Sequence, residues 1–205
     1  MKSWRITVLG VCVLMVAGTA TIAAITGSSH DFSSKTWGTG EICQPCHTPH
    51  DADMTVLGAP LWNHEVTTSV FTLYSSPTFG GTATIGQPTG TSKLCLSCHD
   101  GTVALDNYGG FLGGTTFISN PFGTDLADSH PISFTYDSAL ATSDGGLFDP
   151  ATANSGLGGT IEADLLYAGR VECSSCHDVH DDAGLASLLV MSNSGSALCL
   201  TCHDK

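Results

Sequence analysis

Basic side chains are scarce: six Lys plus Arg stand against 19 Asp plus Glu in 205 residues, a formal charge of −13. A nucleic-acid binder needs a stripe of Lys and Arg to meet phosphate, so that class is excluded. Charged residues of all kinds make up only 12% and aromatics 7%, while glycine reaches 24 residues. Gly, Thr, Ser and Asp favour turns and caps over helix interiors, which argues against a helix bundle. Large apolar residues are too few for a core of ordinary size. Something other than side chains is expected to fill the interior.

The first uncharged run, Ile6 to Ile25, follows the basic start Met1-Lys2-Ser3-Trp4-Arg5. It reads as an export signal over residues 1–27, with cleavage after Ala20, Ala23 or Gly27. An uncleaved anchor is the rival, since about 20 apolar residues can span a bilayer. The Gly and Thr content of Gly18 to Thr26 argues against it. Cys12 reads as a small apolar residue of the signal, because Val11 before it is too bulky for lipid modification. Cleavage removes two of the six basic residues and no acid, so the charge moves from −13 to −15. The expected location is extracellular or at the cell surface, with the periplasm as the alternative, and no span stays in the membrane.

Eight cysteines remain, and in an exported chain disulfides come first to mind. Their spacing points elsewhere. They form four pairs, each followed at once by histidine: Cys43, Cys46 and His47; Cys95, Cys98 and His99; Cys173, Cys176 and His177; Cys199, Cys202 and His203. C-x-x-C-H is the attachment signature of c-type haem. Two thiols one turn apart add to the two vinyl groups of a porphyrin, and the adjacent histidine is held beneath the iron. Zinc would need no histidine at that position, and thioredoxin-like chemistry would need one such pair in a βαβ setting. The expected cofactor is four covalently attached haems c.

Four of the nine histidines are thereby proximal ligands. The other five, His30, His50, His64, His130 and His180, are candidates for the opposite axial position of four irons. Met54 and Met191 are the other possible donors, and Met/His ligation would raise the potential. Both have an alternative in packing, so four bis-His, low-potential haems are expected. With no open iron, electron transfer is favoured over catalysis. His30 and His64 flank the first motif, and one of them is expected to serve its iron. His130 suits the second or third.

The motifs repeat as a pair. Cys43 to Asp51 matches Cys173 to Asp181 as C-x-x-C-H-x-x-H-D, and Ser92 to Asp100 matches Ser196 to Asp204 as S-x-L-C-L-x-C-H-D. The repeated units span about 41–100 and 171–205 within one domain, 28–205. His50 and His180 should play equivalent roles, each turned from its own iron toward a neighbouring haem. If His180 serves a haem of the first unit, the equivalent step for His50 leads to another subunit. Such a head-to-tail contact makes filaments when it does not close.

Several stretches also resemble a known family: Ser29 to Ser33, Cys43 to His50, Pro60-Leu61-Trp62-Asn63-His64, Ser92 to Thr102 and Asp128 to Phe134. They are similar to exported multihaem cytochromes of metal-reducing bacteria, and most of all to the OmcE-like tetrahaem cytochromes that form extracellular filaments, or nanowires. The resemblance implies bis-His haems in a continuous chain, with one iron taking a histidine from the adjacent subunit. It maps that donor onto His50. A homopolymer would then be the main partner, beside other redox proteins or extracellular metal acceptors.

The expected fold is mostly irregular coil with short helices and few short strands, organised by haem. Helices are expected at the C-x-x-C-H segments, around Ile161–Tyr167 and around Gly184–Met191. Strands are expected in Val66–Tyr74 and Ile132–Tyr136. Residues 94–169 hold nine acids and no Lys or Arg. Such a surface suits solubility or docking to basic redox partners, and Asp178, Asp181 and Asp182 could hold a hard cation. The rivals to a conductive filament are a monomeric tetrahaem shuttle and a multihaem reductase, which would need a five-coordinate iron.

Overall fold

The computed structural model describes residues 25–56 and 58–204. The expected export signal, with Cys12, lies almost wholly outside the described residues. Among the described residues, no helix is long and apolar enough to cross a membrane.

The architecture is the expected coil with short elements. Among the described residues four α-helices, α1 (Gly90–His99), α2 (Ser138–Asp144), α3 (Ile161–Leu165) and α4 (Ala197–Cys202), punctuate it. A minimal antiparallel sheet pairs β1 (Phe134–Thr135) with β2 (Arg170–Val171), Phe134 opposite Val171. Short 3-10 turns occupy Gly80–Ala83, Cys173–Ser175, Ala186–Leu188 and Ser194–Ser196.

Local chemistry sets the boundaries. Asp137 caps α2 by accepting the Leu140 N–H at 2.8 Å, and Gly145 ends the helix at φ 69°. Thr160 caps α3 through the Ala163 N–H at 3.2 Å. Gly90 opens α1 at φ 47°, and a Cβ there would lie 3.3 Å from the Tyr167 ring and 3.4 Å from the Glu172 carboxylate. Its missing side chain lets α1 approach the segment that carries the third motif.

Three expectations differ from the structure. Around Gly184–Met191 only the 3-10 turn Ala186–Leu188 forms, because Ser187 and Leu188 take φ of 60° and 54°. Consecutive left-handed residues cannot continue a right-handed helix. In Val66–Tyr74 only Thr72 makes a bridge, to Asp125. Phe71 instead spends its N–H and C=O on the Gln87 side-chain amide, at 2.8 and 3.0 Å. The first C-x-x-C-H is a turn, not a helix, with Cys46 and His47 N–H groups both donating to Cys43 O at 3.2 and 2.8 Å. The third motif, with Ser175 where the first has Pro45, makes the same two bonds at 3.2 and 3.0 Å and is likewise no α-helix.

The packed side chains form three small groups. The largest gathers Phe134, Tyr136, Ala141, Ile161, Leu165 and Val171. The others are Val56, Ala59 and Leu94, and Phe71, Leu96 and Leu126. Leu94 and Leu96 put the second motif's helix into both of these smaller groups. Large apolar residues stay in solvent elsewhere, including Phe111, Leu112, Phe117 and Phe122.

Candidate functional site

The first and third motifs fold alike. Thr48 N–H donates to Leu61 O as Asp178 N–H donates to Leu188 O, and Asn63 N–H meets Cys46 O as Val190 N–H meets Cys176 O. The positive-φ residues correspond too: Asp51 at 56° with Asp181 at 58°, and Leu61 at 53° with Leu188 at 54°. Each loop therefore returns a carbonyl to the histidine. His47 Nδ1 lies 2.8 Å from Pro60 O, and His177 Nδ1 lies 2.9 Å from Ser187 O. A carbonyl only accepts, so Nδ1 carries the proton and Nε2 is left bare for a metal. The second and fourth motifs lie on α1 and α4 and place His99 and His203 at the helix ends.

Three pairs of imidazoles face one another at nearly the same distance. Ring centroids are 6.0 Å apart for His30 and His99, 6.3 Å for His47 and His180, and 6.4 Å for His130 and His203. A metal–imidazole bond is about 2 Å, so two trans imidazoles on one metal have centroids about 6 Å apart. Each pair is therefore spaced as two residues that would hold one iron between them. His130 repeats the Nδ1 arrangement, with Pro131 O at 2.8 Å. Burial depresses the His30 and His99 pKa values, His99 lowering the first further and His177 the second.

This grouping differs from two sequence expectations. Across from His47 stands His180, and neither His30 nor His64. His130 faces the fourth motif's His203, because the chain after β1 returns Leu147 to a bridge with His203. Tyr136 secures that return, its hydroxyl donating to Phe148 O at 2.5 Å and Cys202 O at 3.3 Å.

Two of the five distal candidates remain. His64 is buried, with Nδ1 2.9 Å from Glu65 O and Nε2 3.1 Å from Ala104 O and 3.6 Å from the Cys98 sulfur; a neutral ring donates to only one of the two carbonyls. His50 is exposed, and its ring makes no hydrogen bond or ring contact among the described residues. His177 likewise has no imidazole across from it among the described residues. Met54 is exposed, and Met191 sulfur accepts the Thr201 hydroxyl at 3.7 Å. Asp178 gives one carboxylate oxygen to the His180 N–H and the other to the Asp182 N–H, at 3.0 and 2.9 Å. Among the described residues no three His, Cys, Asp or Glu side chains converge as a metal-ion site.

All eight cysteines of the motifs are free thiols. Burial pushes Cys46 and Cys202 up to about 11 and Cys98 up to about 12. Their neighbours follow chain order. Cys46 acts electrostatically on Cys98. Cys95 and Cys173 share a hydrogen bond that raises the first and lowers the second. Cys176 feels Cys199. Motif one thus adjoins two, two adjoins three, and three adjoins four.

The join between α1 and the third motif is polar. Cys173 N–H donates to Ser92 Oγ at 2.9 Å, and the Thr91 and Ser174 hydroxyls meet at 2.7 Å. The sequence marks Ser92 only as the first residue of S-x-L-C-L-x-C-H-D. Nothing in the pattern marks Glu172, which is buried beside this join.

Paired C-x-x-C-H segments with free thiols and bare imidazole nitrogens are the features that attach haem. Residues 167–205, which hold the third and fourth motifs, match the family described as the doubled CXXCH motif. No curated protein matches the chain. Motifs of this kind are the mark of multihaem c-type cytochromes, with covalently bound haem c and electron transfer as their work.

Proposed function

We propose that the chain carries four haems c, one on each C-x-x-C-H, and passes electrons along them as an exported, self-assembling filament of the OmcE-like kind. Haem iron held by two imidazoles exchanges one electron at low potential. The observation that carries the reading is the set of three imidazole pairs together with what they leave over. His30 with His99, His180 with His47, and His130 with His203 would ligate the second, first and fourth irons. His177 would lack a partner within the chain, and His50 would lack an iron.

The repeat links these two. His180 leads the second unit and reaches the first motif of the unit before it. By the same step, His50 leads the first unit and reaches the first motif of a preceding unit. In a head-to-tail row that motif is the one ending in His177 of the neighbouring copy. One contact satisfies both residues, and it is heterologous and open-ended.

The test is His50→Ala in the full-length secreted holoprotein. A high-spin ferric fraction from one haem in four is expected, together with loss of filaments by electron microscopy. Unchanged spectra and unchanged assembly would overturn the filament. A monomer with four low-spin haems would be the shuttle instead.

A further inference from the structure

Glu172 immediately precedes the third motif, and its side chain is wholly shielded from solvent. Its carboxylate accepts hydrogen bonds from Ser133 Oγ at 2.9 Å and Thr89 Oγ1 at 3.2 Å. Arg170 Nε lies 3.6 Å from Oε1, on a side chain that is 28% exposed. The same arginine donates to Ser133 O, which closes the set. The carboxylate sits against Gly90 at the start of α1. It thus occupies the join where the Cys95 thiol of the second motif meets the Cys173 thiol of the third. Its charge acts on both sulfurs and opposes further negative charge there.

An ionised carboxylate is costly to bury, and a buried pair is weak evidence for stability alone. The two charges are also unequal in reach. Arg170 is 28% exposed and so partly screened, although its Nε is buried facing the carboxylate, whereas Glu172 is wholly shielded and acts through a dry, weakly polarisable medium. A net negative field remains at the join. Such a field favours the more positive, ferric state of any iron nearby.

We propose that the buried Glu172–Arg170 charge pair sets the reduction potentials of the two haems anchored through Cys95 and Cys173, the carboxylate holding both below what imidazole ligation alone would give. This rests on the haem reading above. The pair is a positioning device for charge and touches no reacting atom.

The experiment is a spectroelectrochemical titration of full-length holoprotein, with individual haems resolved by paramagnetic NMR of their methyl groups. Glu172→Gln removes the charge and keeps an acceptor for one of the two hydroxyls, while the other turns to accept from the amide N–H. Two of four potentials are expected to rise while the other two stay. Glu172→Asp, which keeps the charge, should remain close to wild type. Arg170→Gln should lower the same two. Glu172→Gln protein with four low-spin haems and unmoved potentials would overturn the proposal. So would a uniform shift of all four, or an equal shift in Glu172→Asp. If Glu172→Gln fails to fold, the more exposed Arg170→Gln decides alone, and unmoved potentials there also overturn it. Wild-type protein without four haems would sink the haem reading itself, a distinguishable result.

Discussion

Histidines illustrate what one residue's surroundings add to its identity. His64 stands in a stretch that resembles a ligand motif, yet its ring lies between two backbone carbonyls. His64→Leu is therefore expected to leave every haem low-spin in the ferric absorption spectrum. It should cost about 1–3 kcal/mol in denaturant unfolding, the usual penalty for stranding buried acceptors. A new high-spin band would make His64 a ligand after all. The paired C-x-x-C-H motif was legible because its pattern is local, within five residues. Which imidazole faces which was not, since His47 and His180 stand in different halves and meet only through the fold.

Tyr136 belongs to the same scale. Burial, followed by the charges of Cys202, Asp149 and Asp144, pushes its phenol well above its ordinary range. An unfolded tyrosine ionises near pH 10, so above that pH the unfolded chain loses a proton that the folded chain retains. Folding stability therefore falls as pH rises past about 10. Tyr136→Phe should abolish this component of the alkaline loss. At neutral pH it should cost about 1–2 kcal/mol through the bonds to Phe148 and Cys202. Thermal melts of both proteins across pH 7 to about 11 would check the pair of effects.

Among the elements, those with strong local signals formed where the sequence placed them. Helix α3 lies inside Ile161–Tyr167, and β1 lies inside Ile132–Tyr136. Helix α2 was missed, although Asp137 and Gly145 carry a cap at each end. Its sequence of small polar residues looks like the surrounding loops, and two caps on seven residues are easily overlooked. Asp137→Ala should destabilise by about 1 kcal/mol, read from urea midpoints, as loss of an N-cap does. Gly81 makes a different demand. A Cβ there would lie 2.6 Å from the Phe79 ring and 2.7 Å from that of Phe134. Gly81→Ala should cost about 1–3 kcal/mol by overpacking the largest apolar group. A neutral result would mean that the rings move aside.

For the whole molecule, the undersupply of apolar residues became three small packed groups joined by hydrogen-bonded loops. Their separation is the physical reason that composition predicted coil without predicting its path. Chain expressed without haem attachment should accordingly give a disordered far-ultraviolet circular dichroism spectrum and be cut rapidly by protease. A cooperative thermal transition in that material would show that side chains alone suffice. The duplication was visible as matching letters. That both loops place a carbonyl on Nδ1 required the backbone, because Pro60 and Ser187 share no side-chain chemistry.

The order of the thiols carries one more consequence. Cys98 feels Cys46, Cys95 shares a hydrogen bond with Cys173, and Cys176 feels Cys199, so each motif has the next one beside it. Haems attached in that order would resemble resistors in series. The slowest junction would set the current of the whole, and improving any other junction would not raise it. Damage would be equally unforgiving, since one lost station cuts the circuit. Selection on such a wire would act on its worst joint, whichever of the three that is.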